Sequence, residues 1–194
     1  MIRRLYDWTM GLAAHPHAIG WLAFLTCIES IFFPIPPEAM MIPMVLAAPH
    51  RAWLIVAVAT VSSVVGGVLG YGVGYFLYEE VGKPIIDFYG YGGKYATFQG
   101  WYTEYGGWIV AAGGFTPIPY KVITIATGVV QLDLWTFFIA SVLSRGARFL
   151  IVCALLWKFG EPIRSFIEAR LGLLTLIFFA MLFMGFLAIG LVSK

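Results

Sequence analysis

Five ionisable side chains stand inside otherwise apolar stretches of the chain: Glu29, Glu38, Lys121, Arg145 and Arg148. An unpaired charge in apolar surroundings is expensive. At the centre of a lone membrane helix the cost is at least about 2.5 kcal/mol, so each of these residues is a functional candidate. Arg145 and Arg148 are three apart, which puts them on one helical face, with Ser141 and Ser144 beside them. Guanidinium forks match phosphate oxygens bidentately. The five residues sum to three positive and two negative charges, a balance that suits an anionic group. Arg145, Arg148 and Lys121 are therefore candidate phosphate ligands. Protonation of a carboxylate would raise the positive surplus, which makes Glu29 and Glu38 candidate gates or proton carriers. A closed ion-pair network that only holds helices together is the competing reading.

The solvent that these charges face can be read from composition. The chain has 194 residues, 61% hydrophobic and 11% charged, with a mean hydropathy of +0.89. Soluble domains carry about a quarter charged residues, so this is a membrane protein composition, at a length that suits one small domain. The net charge is +2 and the basic residues are scattered, so no nucleic-acid partner is expected. Cys27 and Cys153 both lie in apolar runs and read as buried inert thiols. Met-Ile-Arg-Arg at the start resembles a signal n-region, but Asp7 interrupts the short apolar run after it, and no cleaved signal is expected. His15, His17 and His50 are too few and too loose for a metal site. "GYGVGY" lacks the preceding strand and the Gly-Lys-Ser/Thr of a phosphate loop. No serine elbow, His-Glu-x-x-His or Cys-x-x-Cys occurs, so neither an enzyme nor a cofactor is expected.

The elements that must position the charges read as an all-α integral membrane fold. Residues 1–17 form an amphipathic interfacial helix and 18–48 a broken hairpin that contains Glu29 and Glu38. Residues 52–78 are a transmembrane helix, 79–105 a polar interfacial segment rich in Gly, Tyr and Trp, and 106–131 a second broken hairpin. Residues 132–159, carrying both arginines, and 171–192 are further transmembrane helices. Gly66, Gly70 and Gly74 make a small-residue stripe for close helix packing, which would serve a homodimer as well as an internal contact.

The breaks come from proline. "FFPIPPE" at 32–38 carries Pro34, Pro36 and Pro37, and "FTPIPYK" at 115–121 carries Pro117 and Pro119. Each proline removes an N–H and clashes with the preceding turn. The strings match at Phe, Pro, Ile and Pro. Trp53 and Trp135 open the long helices, and "VGKPI" (81–85) and "FGEPI" (159–163) close them. The chain is two copies of a broken hairpin plus a long helix, with one helix outside the repeat. Glu38 and Lys121 occupy equivalent positions and would pair if the hairpin tips met. Irregular backbone at membrane depth must be packed in protein or face a water-filled cavity, and paired interruptions point to a transporter's substrate site. Two geometries fit: hairpins that enter and leave by one face, giving an inverted repeat, or broken helices that span. Short turns at 49–51 and 132–134 favour the re-entrant form, whereas Lys83 and Lys94 mildly favour the spanning one. Both put the N-terminus and residues 160–170 in the cytoplasm.

"ESIFFPIPPE", the glycine-rich helix after it, "GGFTPIPYKVITIATG" and "SRGAR" resemble the DedA family, also called the SNARE-associated or VTT-domain family, most closely its YqaA-like branch. The likeness covers about residues 20–165. It implies a bacterial inner-membrane protein with two opposing re-entrant hairpins and a part in lipid homeostasis. Activities proposed for the family are flipping of undecaprenyl phosphate or phospholipids, lipid scrambling and proton-coupled transport. The family's acidic positions in the first hairpin fall on Glu29 and Glu38. Its second hairpin commonly carries Arg-Phe-x-Pro-x-x-Arg; here Gly114 replaces the first arginine and Lys121, one position further on, corresponds approximately to the second. Gly70-Tyr71 stands where the family often has Gly-Asp. Arg145 and Arg148 are expected to supply the missing cationic character. The function implied is movement of an anionic lipid head group across the bilayer, against a proton- or cation-coupled solute transporter and a non-transporting scaffold.

Overall fold

The structure, a computed structural model, describes residues 15–31, 36–88, 90, 92–116, 119–160 and 162. Pro34, Pro117, most of the expected interfacial helix at 1–17 and the expected helix at 171–192 lie outside them. The described residues form helices joined by short turns: α1 (Ala18–Glu29), α2 (Glu38–Ala47), a 3₁₀ turn (Pro49–Arg51) and α3 (Ala52–Leu77). A π turn (Tyr78–Gly82) leads into α4 (Lys83–Phe88), then come α5 (Gly92–Phe115), α6 (Tyr120–Val129) and α7 (Leu134–Gly160).

Two of these helical stretches are long and apolar enough to cross a membrane, Pro49–Glu80 with mean hydropathy 2.2 and Leu134–Gly160 with 1.8. The short helices show why the breaks fall where they do. α2 and α6 have 10 residues each, and each starts on a proline N-cap, Pro37 and Pro119. Proline costs little there, because the first N–H groups of a helix have no intrahelical partner. α1 ends at Glu29, earlier than the apolar stretch suggests, because a proline at 34 would clash with the carbonyl of Ser30 in a continuing helix. Glu29 therefore ends one helix and Glu38 begins the next.

One boundary differs from the expected one. The second broken stretch was expected from residue 106, after an interfacial segment at 79–105. Instead α5 is an unbroken helix of 24 residues from Gly92, and the π turn and α4 are helical too. The seven glycines of α5 lower its propensity but do not stop it; no proline falls between 84 and 117.

The two long helices run antiparallel. Arg145 of α7 meets Ser63 of α3, while Phe137, earlier in α7, lies beside Gly67, later in α3. This crossing creates two apolar clusters. One joins the start of α3 (Ala52, Ile55, Ala59) to the end of α7 (Phe149, Cys153, Leu156), with Leu22, Met40 and Met41 of α1 and α2. The other joins Val110, Tyr120 and Val130 to Phe137 and Ala140 at the start of α7. Between them, along both long helices, lies a buried polar layer: Ser63 from α3, and Ser141, Ser144 and Arg145 from α7. Thr26, Ser30, Thr124 and Thr127 are buried as well.

The glycine stripe of α3 is taken up inside this fold. A Cβ on Gly66 would collide with the Cys27 carbonyl of α1, and one on Gly74 with the Ile125 carbonyl of α6. One on Gly70 would stand 2.6 Å from Thr124 Oγ1. These are close approaches that only glycine allows.

Candidate functional site

Arg145 lies in the polar layer with every approach filled. Its Nε donates to Ser63 Oγ at 2.7 Å and one terminal nitrogen donates to Glu29 Oε2 at 3.2 Å. The guanidinium carbon sits 4.9 Å from the Tyr120 ring centre and 4.6 Å from that of Phe149, so aromatic faces meet the cation. Ser63 is held in turn by Ser30 Oγ at 3.1 Å, and the Ser30 hydroxyl donates to the Thr26 carbonyl at 3.1 Å. The Tyr120 hydroxyl donates to Ser141 Oγ at 2.5 Å.

Arg148, one turn on, ties the two breaks together. Its Nε donates to Glu38 Oε1 at 2.7 Å, and Glu38 is the first residue after the first break. A terminal nitrogen donates to the Thr116 carbonyl at 2.7 Å, and Thr116 directly precedes the second break. The second carboxylate oxygen of Glu38 and the hydroxyl of Thr116 are buried without a hydrogen-bond partner among the described residues. Arg148 is 22% exposed at its side chain, Arg145 only 3%.

All five charges expected from the sequence converge. Lys121, in the first turn of α6, acts electrostatically on Glu29 together with Arg145, Arg148 and Glu38. One expected pairing is corrected: the ion-pair partner of Glu38 is Arg148, where equivalence of the repeats pointed to Lys121. The cause is the antiparallel crossing, which lays the middle of α7 across both breaks. A buried pair gains little over apolar packing, but removing one partner leaves a bare charge at a cost of about 3–5 kcal/mol.

Sequence reasoning missed Ser63, Tyr120, Ser30 and the Thr116 carbonyl as partners. Ser63 had a signal, since Thr60, Ser62 and Ser63 interrupt a long apolar run. Gly114, where an arginine was expected by resemblance, faces the same place: a Cβ there would collide with Ser144 Oγ and stand 3.7 Å from Arg145 Cδ. A separate cavity of about 650 Å³ lies between α5 and α7, lined by Gly106, Trp108, Ala111, Asp133, Ile139 and Leu143 among others. None of the five charged residues lines it.

Comparison with known proteins places this arrangement in a family. The VTT domain matches residues 35–158, a span that includes Glu38, Lys121, Arg145 and Arg148. An uncharacterized protein of Haemophilus influenzae is 40% identical over 168 residues, 84% of this chain and 87% of that protein. A Histophilus somni protein, described as a homolog of an uncharacterized one, is 42% identical over 168 residues, again 84% of this chain and 87% of its own length. No solved structure matches. A match over most of the chain, with two long apolar helices around a buried charge cluster, shows that the chain belongs to the VTT-domain (DedA) family of membrane proteins.

Proposed function

We propose that the protein moves the anionic head group of a lipid, such as undecaprenyl phosphate or a phospholipid, across the bilayer while the tail stays in lipid. Family membership supports a transporter-like role, and the convergence of both proline breaks on one arginine-bearing helix carries the finer reading. A guanidinium between two breaks, one helical turn from a polar layer flanked by apolar clusters, offers a phosphate a binding partner at depth. Glu29 and Glu38 then gate the cations and, if transport is energised, carry protons.

The topology that fits is an inverted repeat of re-entrant hairpins in the inner membrane of a bacterium, N-terminus in the cytoplasm. Support comes from the lengths of α2 and α6, each about 15 Å or half a bilayer core, and from the antiparallel course of α3 and α7. A cysteine in place of Lys94 is then labelled from outside intact cells; protection from the label sinks this topology.

The activity test uses purified protein in liposomes with labelled polyprenyl phosphate and, separately, labelled phospholipids. Wild type is expected to transfer at least one of them, and Arg148→Gln to slow that transfer at least about tenfold, the loss of one charge-assisted bond. Undiminished transfer by a folded Arg148→Gln protein refutes the reading. Dissipation of a pH gradient without lipid movement replaces it with coupled solute transport.

A further inference from the structure

We propose that Glu38 is the resting occupant of the lipid phosphate's place on Arg148, and that Arg145 is a positioning residue that keeps its partners throughout. This inference rests on the head-group reading. Its basis is the unequal surroundings of two guanidiniums one helical turn apart.

Arg145 is enclosed. Ser63 and Glu29 take its hydrogen bonds, and Tyr120 and Phe149 stand against its faces. Its hydroxyl partners are also committed in one direction. Ser30 gives its proton to the Thr26 carbonyl, so it can only accept from Ser63. Ser63 therefore donates to Ser30 and accepts from Arg145. Each hydroxyl proton is engaged, and an incoming phosphate could win Arg145 only by breaking the chain and unstacking the cation. That fixes α7 against α1 and α3 and aims the next turn of α7 at the breaks.

Arg148 is held in a way that invites exchange. It is the more exposed of the two, and its bonds go to two separate groups, one oxygen of Glu38 and the Thr116 carbonyl. The other oxygen of Glu38 is buried with no hydrogen-bond partner among the described residues, so half of that carboxylate's accepting capacity is desolvated without return there. A phosphate presents several oxygens and can take two guanidinium N–H groups at once. Exchange would free Glu38, just after the first break, and Thr116, just before the second. Arrival of the head group would then loosen both breaks in one event, which couples binding to opening.

The test measures binding of dodecyl phosphate to the detergent-purified protein, with melting temperature and liposome transfer in parallel. Glu38→Gln still accepts a hydrogen bond from Arg148 but no longer competes as an anion. It is expected to bind dodecyl phosphate about tenfold more tightly than wild type. Should that variant not fold, Glu38→Asp, which withdraws the carboxylate by one methylene, is expected to tighten binding in the same direction. Arg148→Lys keeps the charge, loses the fork, and raises KM for transfer about tenfold. Arg145→Lys lowers the melting temperature and the maximal rate and leaves KM within about twofold, the mark of a positioning residue. Equal or weaker binding by the folded Glu38 variant overturns the inference, as does a raised KM for Arg145→Lys at an unchanged melting temperature. If wild type neither binds dodecyl phosphate nor transfers lipid, the head-group reading itself has failed. If it does both while Glu38→Gln binds no more tightly, only the inference has.

Discussion

Helix α1 meets α3 through one close backbone approach at Gly66, with a looser one from its capping Ser30 carbonyl at Gly70, whereas α6 meets it through two that interlock. Gly74 of α3 receives the Ile125 carbonyl of α6, and Gly128 of α6 receives the Tyr71 carbonyl of α3. The turns after the two short helices differ in the same sense. After α2 the described hydrogen bonds of the turn are backbone ones, from the Ala48 amide to Met44 and from the Arg51 amide to Ala48. After α6, side chains from other helices hold three carbonyls: Tyr95 bonds Val129, Gln99 bonds Val130 and Tyr71 bonds Leu132. Gln131, in the left-handed region at φ 57°, reaches Glu79 at 2.8 Å. The two segments that follow the proline breaks thus have different attachments. The turn after α6 is clasped by side chains of other helices, whereas the polar tie of α2 is the Arg148–Glu38 bond at its first residue. If one of the two short helices moves when that bond exchanges, α2 is the one with fewer side-chain hydrogen bonds to break at its turn.

The largest effect should come from the interlock. Gly128→Ala and Gly74→Ala each drive a methyl group into a backbone carbonyl, which cannot turn aside as a side chain could. Each is expected to lower stability by about 1–3 kcal/mol or more, and the pair by less than the sum because they share one contact. Gly72 of the same helix has open space where its Cβ would be, so Gly72→Ala should be neutral or slightly stabilising. Melting of the detergent-purified proteins checks this. Equal melting temperatures for the Gly72 and Gly128 variants would remove the interlock from the account.

A smaller effect should come from the clasp. Tyr95→Phe keeps the ring that stacks on Tyr78, at 4.9 Å between centres, and removes the 2.8 Å bond to the Val129 carbonyl. A cost of about 0.5–1.5 kcal/mol is expected from losing one hydrogen bond to a partly buried acceptor. The corresponding change in the other half, His50→Ala in the exposed turn after α2, should stay within about 0.5 kcal/mol. Hydrogen exchange would sharpen the contrast, with faster exchange at residues 48–52 than at 130–134 in wild type and a narrowed gap in Tyr95→Phe.

Much of this was legible in the residues themselves. Proline placement located both breaks, apolar run length located α3 and α7, and the cost of intramembrane charge picked out the five residues that converge. Pairing was not legible. Repeat symmetry equates Glu38 with Lys121, but which cation reaches Glu38 depends on how α7 crosses the breaks, a property of tertiary packing. The start of α5 was obscured because Gly93, Gly100, Gly106 and Gly107 together with Glu104 dilute any apolar period, although the backbone can still run helical through them. Ser63 was visible as a polar interruption, but its partner 82 positions away was not.

The smallest predicted effect concerns the cap that starts α7, which the turn after α2 does not share. Asp133 Oδ2 accepts from the Thr136 amide at 2.8 Å and from the Thr136 hydroxyl at 2.9 Å, the geometry of a helix N-cap. Those bonds, first the backbone one, favour the ionised form and hold the carboxyl below its ordinary value of 3.8. With the folded value depressed, the contribution is fully present above the unfolded value and is lost as pH falls through the lower folded one. Its window therefore lies on the acid side of the ordinary carboxylate range. Asp133→Asn keeps a capping oxygen without the titration. Stability of that variant is expected to match wild type near neutrality and to fall less steeply in acid, by a margin that depends on how far the folded value is depressed. Parallel acid profiles for the two proteins would mean that the charge on Asp133 contributes nothing to holding the second turn. The contrast between the halves would then rest on the carbonyl clasp and the glycine interlock alone.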